Sequence, residues 1–148
     1  MMLKTNDIFF EFISKTWIKY KYMDDALSPL LQKGLVEVGN LLLLSELNDS
    51  RVIPAESLFD DIDKEVFINN FHSDDYLNSF QIEEHWINMI LFCKNLKSYL
   101  PENRSYFVYM ILSQTEYGVN FKMYKDREIE YLSENIDKYQ QGIIQFKF

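Results

Sequence analysis

One cysteine, Cys93, is all the thiol chemistry available in 148 residues. A single thiol cannot close an internal disulfide, form a two-cysteine redox motif or build a zinc knuckle. Glycine and proline are nearly as scarce, at four and three. That leaves little glycine-rich loop for cradling phosphate, and no GxGxxG, Walker or GxSxG pattern occurs. Histidine is limited to His72 and His85, in no HxH or HExxH spacing, and no DxDxDG run occurs to bind calcium. Long apolar runs are missing as well. "NLLLLSEL" and "YFVYMIL" fall far short of the ~20 residues of a membrane helix, and "MMLKTNDIFFEF" carries acids where a signal peptide would be apolar. The expectation from these absences is a cytoplasmic protein with no cofactor, no metal and no membrane partner.

What the chain has is apolar bulk and acid. Hydrophobic residues make up 47% and aromatics 16%, with 12 Phe and 10 Tyr. A chain of this length folds around one core, so a single domain over residues 1–148 is expected and disorder is excluded for most of it. The net charge is -8, and no basic stripe offsets it, which argues against direct binding of nucleic acid. Resolved along the chain, the imbalance is local. Between Glu56 and Glu84 nine acids face one base, Lys64, while acids and bases cancel elsewhere. Such a field draws in a cationic partner and speeds its encounter. The interleaved Phe59, Phe67, Phe71, Tyr76 and Phe80 fit an interface, whose centre favours aromatic anchors rimmed by charge. They fit a core equally well, and the acids fit a solvated loop. The candidate partner-binding residues are Asp60, Asp61, Asp63, Glu65, Asp74, Asp75, Tyr76, Glu83 and Glu84.

Periodicity gives the elements. From Asp7 to about Tyr22 the apolar residues Ile8, Phe9, Phe12, Ile13, Trp17 and Tyr20 fall on one helical face, with Lys15, Lys19 and Lys21 toward the end that suits the helix dipole. Ser28 as N-cap and Pro29 in the first helical position start a second helix, expected to reach Gly39. "NLLLLSEL" reads as its continuation or as a short buried strand. Residues 48–79 show no sustained period and read as loops with one or two short helices. From Gln81 to Leu100 the apolar positions recur at three and four, Glu83 and Glu84 occupy the first turn, and Pro101 follows the end, so a helix is expected there. "SYFVYMILS" reads as a central strand and "VNFKMY" as its hairpin partner, with Val119, Phe121 and Met123 inward. The turn "QTEYG" lets Gly118 take a positive backbone angle. Ile129, Leu132 and Ile136 are spaced for helical turns, and "GIIQFKF" closes as a third strand. The fold class is therefore α+β, a helical N-terminal two thirds packed on a small antiparallel sheet drawn mainly from residues 104–148.

The chemical candidates are few. His72 lies near Asp74 and Asp75, and His85 follows Glu83 and Glu84, so a small His/carboxylate enzyme is conceivable by residue type. Both histidines read more simply as helix-end or surface residues. Cys93 falls on the apolar face of its helix, where a buried thiol is inert. The cluster Lys122, Lys125, Asp126, Arg127, Glu128 and Glu130 pairs internally or rims an interface.

The C-terminal run "ILSQTEYGVNFKMYKDREIEYLSENIDKYQQGIIQFKF" covers about a quarter of the chain. Phe121, Tyr124, Lys125, Arg127, Glu128, Leu132, Ser133, Glu134, Ile136, Lys138 and Tyr139, closed by the strand "IIQF", resemble a pattern of small bacterial immunity proteins of polymorphic toxin systems, including contact-dependent growth inhibition. Tyr131 stands where that pattern has Trp, and Ile129 where it has Gly. The resemblance implies a non-enzymatic protein that binds and neutralises the C-terminal toxin domain of its own cell. Such toxins are often nucleases with cationic clefts, which the stretch from Glu56 to Glu84 would complement. An acidic adaptor for some other basic protein is the alternative reading of the same charge.

Overall fold

The structure is a computed structural model, and it describes residues 2–5, 22–53, 59–128 and 141–148. The helix expected from Asp7 to about Tyr22, the turns expected across Ile129, Leu132 and Ile136, and Glu56 lie outside the described residues. So do Leu132 to Tyr139 of the immunity-protein pattern.

The fold is α+β. Strands β5 (Val108–Gln114) and β6 (Val119–Lys125) form the expected hairpin, and β7 (Ile143–Lys147) adds to β5 on the other side. Two further strands complete an antiparallel sheet of order β1-β7-β5-β6-β4. These are β1 (Met2–Thr5) at one edge and the two-residue β4 (Phe71–His72) at the other. Neither is long enough to show a period of two, so only their pairing partners reveal them. The long helix α4 (Ile82–Lys97) lies where periodicity puts it. It presents Trp86, Met89, Ile90, Cys93 and Leu96 to the same core as Val108, Met110, Leu112, Val119, Phe121, Met123 and Phe146. Phe71, Phe92 and Phe121 meet there with ring centroids 5.1–5.3 Å apart, each such pair contributing about 0.5–1.5 kcal/mol beyond its burial. Cys93 is fully buried, and loss of hydration pushes its thiol pKa up, away from nucleophilic use.

The second helix corrects the sequence reading. Helix α1 (Ser28–Gln32) ends well before Gly39, and Asp24, not Ser28, supplies the cap, its Oδ1 accepting from the Ala26 N–H at the 3-10 turn Asp25–Leu27. Gly34 stops α1 because its φ of +63° continues no helix, and a Cβ there would stand a tight 3.0 Å from the Tyr99 ring. The chain then turns into a hairpin of β2 (Leu35–Val38) and β3 (Leu41–Leu44) around Gly39-Asn40, with positive φ at the glycine only, as a type II′ turn requires. "NLLLLSEL" is thus a buried strand followed by a short helix, α2 (Ser45–Ser50). Among the described residues, four strands precede residue 104.

Strand β3 needs an outer neighbour, because its far edge is buried. Helix α3 (Asp61–Ile68) and the residue that ends it provide one through side chains. Glu65 Oε2 accepts from Leu42 N–H at 2.8 Å, Asn69 Oδ1 accepts from Leu44 N–H at 2.8 Å, and Asn69 Nδ2 donates to Leu42 O at 2.8 Å. The same two side chains reach the edge of β6. Glu65 Oε1 accepts from Lys125 N–H at 3.2 Å and Asn69 Nδ2 donates to Met123 O at 3.2 Å. Spaced four apart, they lie on one helical face and stand in for a strand between the hairpin and the main sheet.

Candidate partner-binding surface

The acidic stretch does not form one field. Asp60 caps α3, its Oδ1 accepting from Asp63 N–H at 2.8 Å, and Asp61 lies 4.0 Å from Lys64. These acids serve the helix start. Glu65, expected on the partner surface, is fully buried and paired with Arg127, whose Nη2 also donates to Asn40 O at 2.8 Å. It is removed from the candidate set, because its carboxylate is consumed by β3, β6 and that guanidinium. At its other end the stretch departs from this group. His72 pairs with Asn120, while Glu65 meets Lys125, a separation of roughly 17 Å along β6 at ~3.4 Å per residue.

At that other end the chain builds a junction. Ser73 is wholly buried in the 3-10 turn Ser73–Asp75. Its Oγ accepts from Val119 N–H at 2.8 Å and lies 2.6 Å from His85 Nδ1. His85 Nε2 is 2.8 Å from Ser79 O. A carbonyl only accepts, so Nε2 carries hydrogen, and in the neutral ring Nδ1 accepts the Ser73 hydroxyl. The pairing of serine with imidazole brings a nucleophilic dyad to mind by type. Here Ser73 Oγ has no exposed face, His85 is buried, and both ring nitrogens are occupied, so the geometry pins the β5-β6 turn to the start of α4. His85 was expected at a helix end or on the surface. It lies in the first turn of α4 but inside, whereas His72 is exposed. Gly118 is required by this junction. A Cβ there would stand 2.5 Å from Ser73 Oγ and 2.9 Å from His85 Nδ1. The expected positive φ is not what makes it glycine, since only Gly34 and Gly39 among the glycines take one.

Around the junction the side chains face outward. Asp74 and Asp75 are exposed, with Asp74 Oδ1 close to Gly118, and Glu83 and Glu84 flank His85. Tyr76 is half-buried, its ring edge-on to Phe71 at 5.5 Å, and burial pushes its hydroxyl pKa up. Two largely exposed aromatics also flank the junction in the chain. Phe80 is fully exposed, and Tyr117, in the turn, is 70% exposed. Phe80 precedes the N-cap Gln81, where a hydrophobic residue normally staples onto the fourth helical residue. That residue is the buried His85, already bonded elsewhere, so Phe80 has nothing apolar to cover it. Tyr117 was missed in the sequence because a turn aromatic carries no periodic signal.

A family profile described as the uncharacterized protein PM0498 family matches residues 4–147. The chain belongs to that family. No curated protein and no solved structure matches it. The match runs through both the junction and the hairpin-bridging helix.

The mixed-charge cluster after β6 resolves into long-range pairs. Lys125 Nζ is 3.5 Å from Glu37 and 4.3 Å from the Tyr106 ring centroid, and Lys147 pairs with Asp126 at 3.0 Å. Tyr106 donates to Glu37 Oε1 at 2.5 Å; burial first, then this bond, pushes its pKa up to about 12. Among the described residues the one positive φ outside glycine is +61° at Glu128 in this cluster, with Glu128 N–H on Asp126 Oδ1 at 2.9 Å. Among the described residues no three His, Cys, Asp or Glu side chains group to hold a metal ion, and no helix is long and apolar enough to cross a membrane.

Proposed function

We propose that this chain is a non-enzymatic immunity protein that binds a cognate toxin domain in the cytoplasm and neutralises it by covering a cationic surface. The observation that carries the reading is what flanks the junction: the exposed Asp74 and Asp75 follow Ser73, the half-buried Glu83 and Glu84 precede His85, and the exposed Phe80 and Tyr117 stand next to Gln81 and Gly118. Aromatic side chains are favoured anchors at interface centres, and carboxylates near them steer a basic partner while repelling acidic ones. A basic nuclease cleft fits that combination. That the partner is a toxin domain is what the resemblance of residues 111–148 to immunity proteins implies.

The test is growth rescue. A toxin gene is expected directly upstream; its C-terminal domain is expressed with or without this chain, and rescue is expected with the native sequence. Asp74→Lys with Asp75→Lys should slow association and flatten its salt dependence, since steering between opposite charges is screened by salt. Unchanged association rates in that double variant would sink the proposal.

A further inference from the structure

A neutral imidazole carries one N–H and one lone pair, pointing apart on a rigid ring, so a buried histidine can tie two segments together at a fixed angle. His85 does this from the first turn of α4. Its Nε2–H donates to Ser79 O at 2.8 Å, one residue ahead of the exposed Phe80. The Phe80 backbone is held on its other side too, because Gln81 N–H donates to Ser79 Oγ at 3.1 Å. The other nitrogen, Nδ1, accepts from Ser73 Oγ at 2.6 Å, and that oxygen accepts from Val119 N–H, two residues after the exposed Tyr117. The turn that carries Tyr117 is closed by Thr115 N–H donating to Gly118 O at 2.9 Å and by Gly118 N–H donating to Thr115 Oγ1 at 3.2 Å. Ser73 O accepts from the Tyr76 and Leu77 N–H groups at 3.1 and 2.8 Å, which sets the turn bearing Asp74 and Asp75.

Phe80 and Tyr117 are therefore each within two residues of a backbone group bonded, directly or through Ser73, to one buried ring. Such holding matters for association. An aromatic anchor gives its full contact energy only when its backbone is ordered before the partner arrives, since ordering it on contact cancels part of the gain.

We infer that His85 is the positioning residue of the proposed interface, holding Phe80 through Ser79 and Tyr117 through Ser73. The inference rests on the partner reading above and adds that the two aromatics are set by separate arms of one ring. The arms can be cut singly. His85→Asn keeps an acceptor for the Ser73 hydroxyl but is too short to reach Ser79 O, whereas Ser73→Ala keeps the ring and its Ser79 bond and removes the link to Val119. Amide order parameters are measured by nuclear spin relaxation on the free full chain. They should fall from the rigid range of ~0.85 toward ~0.6 at Phe80 in His85→Asn and at Tyr117 in Ser73→Ala, each aromatic moving in its own variant alone. Dissociation from the toxin domain should become about tenfold faster in both, with the salt dependence of association unchanged because Asp74 and Asp75 still carry their charge. Phe80→Ala should weaken binding less in the His85→Asn background than in the native one. Order parameters that stay high in both variants, a loosening of both aromatics together in either, or native dissociation from a loosened variant overturns the inference. If one substitution unfolds the chain, the other arm decides. The order parameters need no partner, so a chain whose aromatics respond as described but which gives no growth rescue loses the toxin reading and keeps the positioning.

Discussion

Helix α3 and the junction after it draw on the same acid-rich stretch and use it in opposite ways. In α3 the carboxylate that matters, Glu65, is buried and bonded to two strand edges and a guanidinium. At the junction the group buried for structure is the hydrogen-bonded Ser73–His85 pair, with Asp74 and Asp75 exposed and Glu83 and Glu84 half-buried beside it. The lesson is that net charge over a segment does not measure its surface field. An acid four residues from an asparagine on a helix facing two unpaired strand edges is structural, whereas Asp74 and Asp75, beside the sealed Ser73–His85 junction, stay exposed.

The contrast can be broken at several places. Glu65→Ala should have the largest effect, about 3–5 kcal/mol of stability, because it leaves Arg127 and the Leu42 and Lys125 N–H groups without their carboxylate; urea denaturation measures it, and a loss under 1 kcal/mol would mean that β3 and β6 find other partners. Asn69→Ala, which strips Leu42 O and Leu44 N–H, should cost about 1–3 kcal/mol by the same measurement. Gly118→Ala tests the junction. Its Cβ forces Ser73 Oγ or His85 aside, and a cost of about 1–3 kcal/mol is expected, with amide shifts centred on Ser73, His85 and Val119.

A smaller effect sharpens the α3 side through pH. Folding raises Tyr106 from its ordinary value near 10 to about 12. Between those values the unfolded chain has released the proton and the folded chain holds it, so the unfolded state binds fewer protons and stability falls as pH rises through that window. Below pH 10 the contribution is fully present. Denaturation midpoints from pH 9 to 12 should show this decline in the native chain and a shallower one in Tyr106→Phe. The smallest stability effect belongs to Asp74→Lys with Asp75→Lys, within about 0.5 kcal/mol, as for exposed positions without structural partners. A large loss there would erase the distinction between structural and surface acids.

The parts of the fold legible in the sequence are those with sustained periods. Helix α4 and strands β5, β6 and β7 announce themselves because one side of each repeats apolar residues against the shared core. β1 and β4, at four and two residues, carry no period. The β2–β3 hairpin was hidden by a good helix start at Ser28-Pro29, overridden by Gly34 in a positive φ. The candidate site was half legible. Asp74, Asp75, Tyr76, Glu83 and Glu84 do gather around the junction, whereas Asp60, Asp61 and Asp63 serve the start of α3. Exposure of Phe80 and Tyr117 could not be read from a list of aromatics that suit a core equally well.

By itself the sequence determined the α+β class, the helix and three strands of the main core, the inert Cys93 and the location of the charge imbalance, because hydrophobic periodicity and composition are local quantities. Only the tertiary structure decided which acids reach solvent. Whether a carboxylate is consumed depends on the unpaired backbone groups that another part of the chain brings to it, and those of β3 and β6 lie 23 and 60 residues from Glu65.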